Sequence, residues 1–184
     1  HASQDIALGD INNDGQPDLV VANANAVNKV YLNDGIGSPF DTLISGISIS
    51  NETNNSTAIQ LVDINQDAYL DVLIANSGSV NRYYINNRTA NPFSSVMALL
   101  IDANDLHFSQ AILAKDIDLD GDIDIIVGNN GINRLYLNDR SATPFVAASG
   151  INIITDSHNT QALAVADINN DGYPDLVIAN SDNI

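Results

Sequence analysis

Four clusters of aspartate and asparagine have the side-chain types and the spacing that bind a hard divalent cation. The richest cluster, residues 116–124, reads Asp-Ile-Asp-Leu-Asp-Gly-Asp-Ile-Asp and holds five carboxylates in nine residues. Carboxylates this close repel one another unless a cation lies among them. Acids at positions 1, 3 and 5 followed by glycine form the first half of an EF-hand-type calcium loop, in which the backbone carbonyl of position 7 is a further ligand.

The second half of this cluster departs from the EF-hand. An EF-hand ends with a bidentate glutamate at position 12, but position 12 is Val127 and position 9 is Asp124. The residues that follow, 125–127, are an aliphatic run of the kind found in buried strands. We therefore predict a calcium loop that takes its last ligand from position 9 and leads into a strand.

The same pattern recurs as loop 1 (10–18), loop 2 (63–71), loop 3 (116–124) and loop 4 (167–175), whose first aspartates are 53, 53 and 51 residues apart. Four copies in register predict up to four Ca²⁺ ions, one for each repeat. Loop 2 has Ala68 in place of the glycine, which predicts a strained turn and a weaker site. Loop 3 carries Asp118 where the others have asparagine, and we expect it to bind most tightly. The predicted ligands are Asp10, Asn12, Asp14, Gln16, Asp18, Asp63, Asn65, Asp67, Tyr69, Asp71, Asp116, Asp118, Asp120, Asp122, Asp124, Asp167, Asn169, Asp171, Tyr173 and Asp175.

Composition excludes several classes of protein. The chain has 184 residues, 23 acids against 6 bases, and a formal net charge of −17. Such acidity argues against nucleic acid or an anionic membrane surface as a partner. The sequence has no cysteine, which excludes disulfides and thiolate metal sites, and no apolar run long enough for membrane insertion. Calcium loops are saturated where calcium is abundant, so we expect a secreted or cell-surface protein.

Each loop lies inside a longer repeat of short apolar segments. An alternating segment precedes the loop and a continuous aliphatic run follows it, which predicts two strands. A third strand is predicted at 29–33, 83–86 and 135–138, and a weaker fourth at 42–49, 96–101 and 146–154. Four short strands in about fifty residues are typical of a propeller blade. We predict an all-β chain of antiparallel four-stranded blades, each with a calcium loop between its first and second strands.

The predicted blades form one partial β-propeller over residues 1–184. The repeats cover 1–53, 54–106, 107–157 and, in part, 158–184, which gives about three and a half blades. A closed ring has about four to eight blades, and an open ring leaves sheet edges exposed. We therefore expect the chain to belong to a longer protein, or to complete its ring through another chain.

These residues resemble the FG-GAP and VCBS repeats of integrin-α-type propellers and of many secreted bacterial proteins. The resemblance rests on Asp-x-Asn/Asp-x-Asp-Gly-x-x-Asp followed by an aliphatic strand, and on a Tyr-Leu-Asn-Asp-Gly-x-Gly-x-Pro-Phe turn that is complete at 31–40. It covers essentially the whole chain. It implies a calcium-stabilised, extracellular propeller that serves cell adhesion, glycan recognition or scaffolding.

No catalytic constellation is visible in the sequence, so we expect no enzyme activity. The three histidines, His1, His107 and His158, share one repeat position, which predicts a recurring structural hydrogen bond. Arg82 and Arg134 share a second repeat position, and Arg88 and Arg140 share a third, which predicts a structural role for these arginines too. The tyrosines and phenylalanines that recur in register predict packing between blades.

Three hypotheses for function remain open. The first is a non-catalytic module that binds a protein or carbohydrate ligand, with the Asn-rich turns at 23–28, 76–81 and 129–133 suited to sugar hydroxyls. The second is a structural repeat that self-associates in a surface layer, a filament or a large adhesin. The third is a propeller domain appended to a secreted enzyme.

Overall fold

The chain folds entirely as β-structure in the part that can be described. The structure is a computed structural model that describes residues 2–37, 40, 46–153 and 157–181, and these ranges contain no helix. Accordingly, none of the described residues forms a helix that could span a membrane. The strands are β1 (Ala2–Gly9), β2 (Asp18–Ala24), β3 (Lys29–Tyr31), β4 (Ile47–Ser48), β5 (Ser56–Val62), β6 (Asp71–Asn76), β7 (Arg82–Tyr84), β8 (Leu99–Leu100), β9 (Phe108–Lys115), β10 (Asp124–Gly131), β11 (Arg134–Tyr136), β12 (Ile151–Asn152), β13 (His158–Ala166) and β14 (Asp175–Asn180).

The strands form antiparallel meanders that follow the sequence repeat. Unit 1 is the sheet β1–β2–β3–β4 and unit 2 is β5–β6–β7–β8. In unit 3, β9, β10, β11 and β12 pair in the same order. Unit 4 consists of the pair β13–β14, which joins unit 3 through a short pairing of β10 with β13. The all-β prediction and the antiparallel four-stranded repeats are confirmed.

The units lie side by side in chain order. The first strands of successive units contact one another, β1 with β5, β5 with β9 and β9 with β13. The same antiparallel bridge connects each pair of units, at Ala24–Asn55, Ser77–Phe108 and Asn130–Asn159. This arrangement is propeller-like, and the described units do not close into a ring.

The third and fourth strands are shorter than predicted. The third strands span three residues and the fourth strands two. The third strands end early because the backbone N–H groups of Asn33, Asn86 and Asn138 donate to aspartate side chains. Half of the predicted segment at 42–49, residues 42–45, lies outside the described residues.

The hydrophobic core lies between successive units. One cluster packs Ile11 and Val20 of unit 1 against Ile74, Tyr84 and Phe93 of unit 2. A second cluster repeats this contact between units 2 and 3, and there Tyr83 meets Phe145 edge to face with ring centroids 5.5 Å apart. The predicted packing role of the recurring aromatic residues is confirmed for these side chains. Each unit therefore buries its apolar surface against its neighbours.

A buried hydrogen-bond relay also joins the units. Between units 1 and 2, the Asn28 side-chain amide donates to Ser56 Oγ (2.9 Å), and that hydroxyl donates to Asn76 Oδ1 (2.9 Å). Asn28 also accepts the backbone N–H of Asn23 through Oδ1 (2.8 Å). The relay recurs through Asn81, Ser109 and Asn129, and through Asn133, Thr160 and Asn180. Most of the turn asparagines expected to face sugars are thus buried and committed to the fold.

The relay predicts a position-dependent cost of removing its hydroxyl. Ser109→Ala should lower the free energy of unfolding by about 1–3 kcal/mol, because it leaves the buried Asn81 amide and Asn129 carbonyl without partners. Ser3→Ala is the matched control, since Ser3 is exposed and bonds to Asn23 alone among the described residues. Urea denaturation should show a clearly smaller loss for Ser3→Ala. Equal losses would contradict a relay between units.

Candidate metal centres

Each predicted loop connects the first and second strands of its unit. Loop 1 joins β1 to β2 and loop 2 joins β5 to β6, while loop 3 joins β9 to β10 and loop 4 joins β13 to β14. The structure therefore places all four loops at equivalent corners, as the sequence predicts. It does not gather them into one site.

The carboxylate at position 1 shapes each loop. In loop 3, Asp116 accepts the backbone N–H of Asp120 through Oδ1 (3.1 Å) and that of Gly121 through Oδ2 (3.0 Å). Asp10, Asp63 and Asp167 accept the corresponding two N–H groups in their own loops. These bonds fold positions 5 and 6 back over position 1, so that side chains distant along an extended chain become neighbours.

Side-chain oxygens converge within these loops. In loop 3, carboxylate oxygens of Asp116, Asp118 and Asp120 lie within 4.8 Å of one another. In loops 1 and 4, position 3 is asparagine, and its Oδ1 accepts from the same position-5 N–H as the position-1 aspartate. These atoms are all oxygens, which suits a hard cation such as Ca²⁺ rather than a metal that prefers nitrogen or sulfur.

The position-9 aspartates of loops 1, 2 and 3 are buried at the base of the loops, whereas Asp175 of loop 4 is half-buried. Asp18, Asp71 and Asp124 are at most 1% exposed. Asp71 accepts the Ile64 N–H (2.9 Å) and the Asn86 N–H (2.8 Å), one on each carboxylate oxygen. The same pair of bonds recurs at Asp18 and Asp124. In loops 1, 2 and 3, one carboxylate thus connects the start of the loop to the end of the third strand, and in loop 4 Asp175 accepts the N–H of Ile168 at the start of the loop (2.9 Å).

Burial perturbs these carboxylates. Desolvation raises the pKa of Asp71 to about 7, against the opposing effect of its two backbone donors, and nearby Asp67 and Asp63 add to the rise. Desolvation also raises the pKa of Asp18 and Asp124. The described arginines form their ion pairs with acids other than these position-9 aspartates. The donor set therefore fits a cation, since a cation would compensate the buried charge.

Position 6 needs a backbone conformation that favours glycine. Gly15, Gly121 and Gly172 have φ of +87°, +95° and +88°, and an added Cβ would meet no atom within 4 Å. The requirement is therefore conformational and not steric. Ala68 has φ of +69° at the same position, so the predicted strain in loop 2 is confirmed.

Two arginines lie at the loops. Arg88 Nη2 is 2.7 Å from Asp67 Oδ2 in loop 2, and Arg140 Nη2 is 3.2 Å from Asp120 Oδ2 in loop 3. Arg140 also pairs with Asp122. Their shared repeat position predicted a structural role but not contact with predicted ligands. The available signal was their spacing, two residues after the asparagine that bonds to the position-9 aspartate.

A second type of acidic site links consecutive units and was missed from the sequence. Asp105 is buried, pairs with His107, accepts the hydroxyl of Tyr136, and lies 3.7 Å from Arg134 Nε. Hydrogen bonds from His107 and Tyr136 outweigh its burial and lower its pKa.

Glu52 is the counterpart of Asp105 one repeat earlier. It accepts the Tyr84 hydroxyl (2.9 Å) and lies 3.0 Å from Arg82 Nε. The interpretation of Arg82 and Arg134 as structural residues is supported. His107 and His158 lie in different units and form no cluster, and His1 is outside the described residues.

Comparison with known proteins agrees with this geometry. A family model described as an FG-GAP-like repeat matches residues 10–74 and 116–178. "Cartilage acidic protein 1" of Xenopus tropicalis is 24% identical over 193 residues, covering 97% of this chain and 29% of that protein. "T-cell immunomodulatory protein homolog" of Plasmodium yoelii yoelii is 28% identical over 135 residues, covering 65% of this chain and 19% of that protein. The chain thus spans less than a third of the length of these relatives.

The raised pKa of Asp71 predicts a pH-dependent effect of its replacement. Between its ordinary pKa of 3.8 and its folded pKa of about 7, the folded state keeps a proton that the unfolded state loses. Its contribution to stability is therefore fully present below pH 3.8 and is lost as pH rises through 7. In chelator, the unfolding free energy of the wild-type protein relative to Asp71→Asn should fall over this window. Parallel curves for the two proteins would contradict the buried, uncompensated carboxylate.

Proposed function

The chain belongs to the FG-GAP-like repeat family, and we propose that it is a non-catalytic, calcium-binding module of an extracellular protein that recognises a protein or glycan ligand. The observation that carries the proposal is the pairing of converging oxygen ligands with buried position-9 carboxylates that have no ion pair to a described arginine or lysine. An extracellular setting is supported by the need for abundant calcium. It is further supported by the name of the Xenopus relative, which refers to cartilage.

The residues that would hold calcium are those at positions 1, 3, 5 and 9, through side-chain oxygens, and position 7, through its backbone carbonyl. A bound ion supplies the positive charge that allows the position-9 carboxylate to be ionised while buried. In loop 2, Asp71 would then keep its bonds to Ile64 and Asn86 in the charged state, and bonds to a charged group are the stronger ones. The third strand and the loop would be fixed together.

Recognition is best supported on the face that carries the loops. A cleft of about 390 Å³ lies between loops 2 and 3, and its wall includes the polar side chains of Asn65, Gln66, Asn138 and Ser141. The opposite ends of the units are less suited, because most of the asparagines there are engaged in the relay between units. The Gln66 and Asn138 amides already donate to backbone carbonyls, so a hydroxyl-rich ligand would be met chiefly by the exposed side chains of Asn65 and Ser141.

Self-association is the second candidate, favoured by exposed apolar residues on the two end units. Ile6 of β1 is 59% exposed, whereas its counterpart Ile59 is 6% exposed because unit 1 covers it. At the other end, Ile168 is 61% exposed and its counterpart Ile64 only 2%. Both ends therefore present surfaces that are interfaces elsewhere in the chain. Further units of the same kind, from the same protein or another copy, would cover them.

Calcium removal tests the proposal. Excess EGTA should lower the Tm of the chain by more than 10 °C, on the order of the shift that the loss of a few kcal/mol causes in a domain of this size. Addition of excess CaCl₂ should restore the Tm, and calorimetric titration should show heat of calcium binding. MgCl₂ is the matched control and should restore the Tm less, because Mg²⁺ gives up its water reluctantly. An unchanged Tm in EGTA, with no heat of calcium binding, would remove calcium from the account.

A glycan array separates the two candidate functions. Recognition predicts calcium-dependent binding to a defined set of sugars, reduced by Ser141→Ala in the cleft and unaffected by Thr89→Ala, an exposed polar residue of another turn. Sedimentation of the same samples should show a monomer. If the protein binds no sugar on the array and associates in a concentration-dependent way that Ile6→Ser abolishes, self-association is supported instead.

A further inference from the structure

The residue at position 4 lies beside the loop of the next unit in loops 1, 2 and 3. Position 4 is Asn13, Gln66, Leu119 and Asn170 in the four loops, and all four have a left-handed φ between 57° and 63°. The backbone conformation at position 4 is therefore the same in all four loops, and the loops differ in the side chain.

Two of these side chains bond to the next loop. The Asn13 amide donates to the backbone carbonyl of Ala68, at position 6 of loop 2 (3.1 Å). The Gln66 amide donates to the carbonyl of Gly121, at position 6 of loop 3 (2.7 Å), and also lies 3.1 Å from Asp122 Oδ1. Loops 1, 2 and 3 are thus joined in series by side-chain amides.

The series ends at loop 3. Leu119 has no hydrogen-bond donor in its side chain, although it lines a cleft of about 230 Å³ together with Gly172 and Tyr173 of loop 4. Units 3 and 4 share with the earlier pairs the β-bridge and the hydrogen-bond relay, with Thr160 in place of serine. The missing amide at position 4 of loop 3 is one difference between the third interface and the first two.

We propose that the position-4 amides of Asn13 and Gln66 couple calcium binding from loop 1 through loop 2 to loop 3, and that loop 4 binds independently. This proposal rests on the calcium binding proposed above. Asn13 and Gln66 act as positioning residues: each holds the peptide between positions 6 and 7 of the next loop, and position 7 supplies the carbonyl ligand.

The coupling follows from shared ordering of the loops. In loop 3 the Gly121–Asp122 peptide is held at one side by Gln66 and at the other by the bond from the Asp122 N–H to Asp120 Oδ1 (2.9 Å). An ion that orders loop 3 fixes the carbonyl to which Gln66 donates. Position 4 of loop 2 is then ordered between its own ligands, Asn65 and Asp67, so loop 2 loses less conformational entropy when it binds.

Terbium, a luminescent substitute for calcium, reads loops 2 and 4 separately, because Tyr69 and Tyr173 occupy position 7 of these loops and tyrosine excites a nearby terbium ion. In a Tyr173→Phe background the tyrosine-sensitised emission reports loop 2, and in a Tyr69→Phe background it reports loop 4. The variant that carries both Tyr69→Phe and Tyr173→Phe measures the background emission that the remaining tyrosines excite. Loop 3, which lies between these two reporters, is the loop to disable.

Disabling loop 3 with Asp116→Asn should weaken terbium binding at loop 2 by about fivefold, the lower end of ordinary coupling between sites, and leave loop 4 unchanged. An equal loss at both loops, or a loss at neither, would overturn the coupling. Gln66→Leu provides a second test that does not depend on Asp116, because Gln66 is exposed and Leu119 shows that leucine is accepted at position 4. It should make loop 2 insensitive to the state of loop 3.

Leu119→Gln is the matched gain-of-function variant, and it should make loop 4 respond to Asp116→Asn as loop 2 does. Failure of loop 4 to respond would overturn the assignment of coupling to the position-4 amide. Absence of terbium and calcium binding at every loop of the wild-type chain would overturn the proposed function and the coupling together. Binding with loops 2 and 4 equally independent of loop 3 would overturn the coupling alone.

Discussion

A buried aspartate carboxylate at the end of loops 1, 2 and 3 is the group on which the rest of each unit depends. Asp71 accepts one N–H from the start of its loop and another from the end of the third strand, so it determines where both segments lie. Burial and the nearby Asp63 and Asp67 make its charged form costly, and the described side chains provide no positive partner for it. A divalent ion held by the other loop oxygens would resolve this conflict, and the acidity of the chain then has an architectural explanation.

Three kinds of contact extend this local constraint across the units. Aliphatic and aromatic side chains fill the space between neighbouring sheets, and the Asn–Ser–Asn relay satisfies the polar groups at one end of that interface. At the outer strands, an acid from one unit meets an arginine and a tyrosine of the next, as Glu52 does with Arg82 and Tyr84. At the loop face, the position-4 amides connect two of the three interfaces. Successive units are therefore related by similar, but not identical, chemistry.

The sequence predicts the parts of this structure that are set by local pattern. Four loops in register, the strands that flank them and the positive φ at Ala68 follow from residue type and spacing, since those features depend on neighbours along the chain. The packing of the recurring aromatic residues between units was also predicted, but the polar contacts between units depend on which side chains face each other across a gap, and these were missed. Asp105 was not distinguishable from a surface acid in a polar turn, and the asparagines of the relay had the composition of a sugar-binding turn. The fourth strands were predicted too long because their apolar residues pack without extended pairing.

The central claim is that each of the four corners is completed by a divalent cation. A crystal structure grown in calcium, with anomalous data collected at a long wavelength, measures this directly. The account predicts one anomalous peak in each loop, enclosed by the oxygens of positions 1, 3, 5, 7 and 9, with the peak in loop 2 the weakest because of Ala68. Well-ordered loops without anomalous peaks, whose position-9 aspartates stay bonded to backbone N–H groups alone, would contradict it.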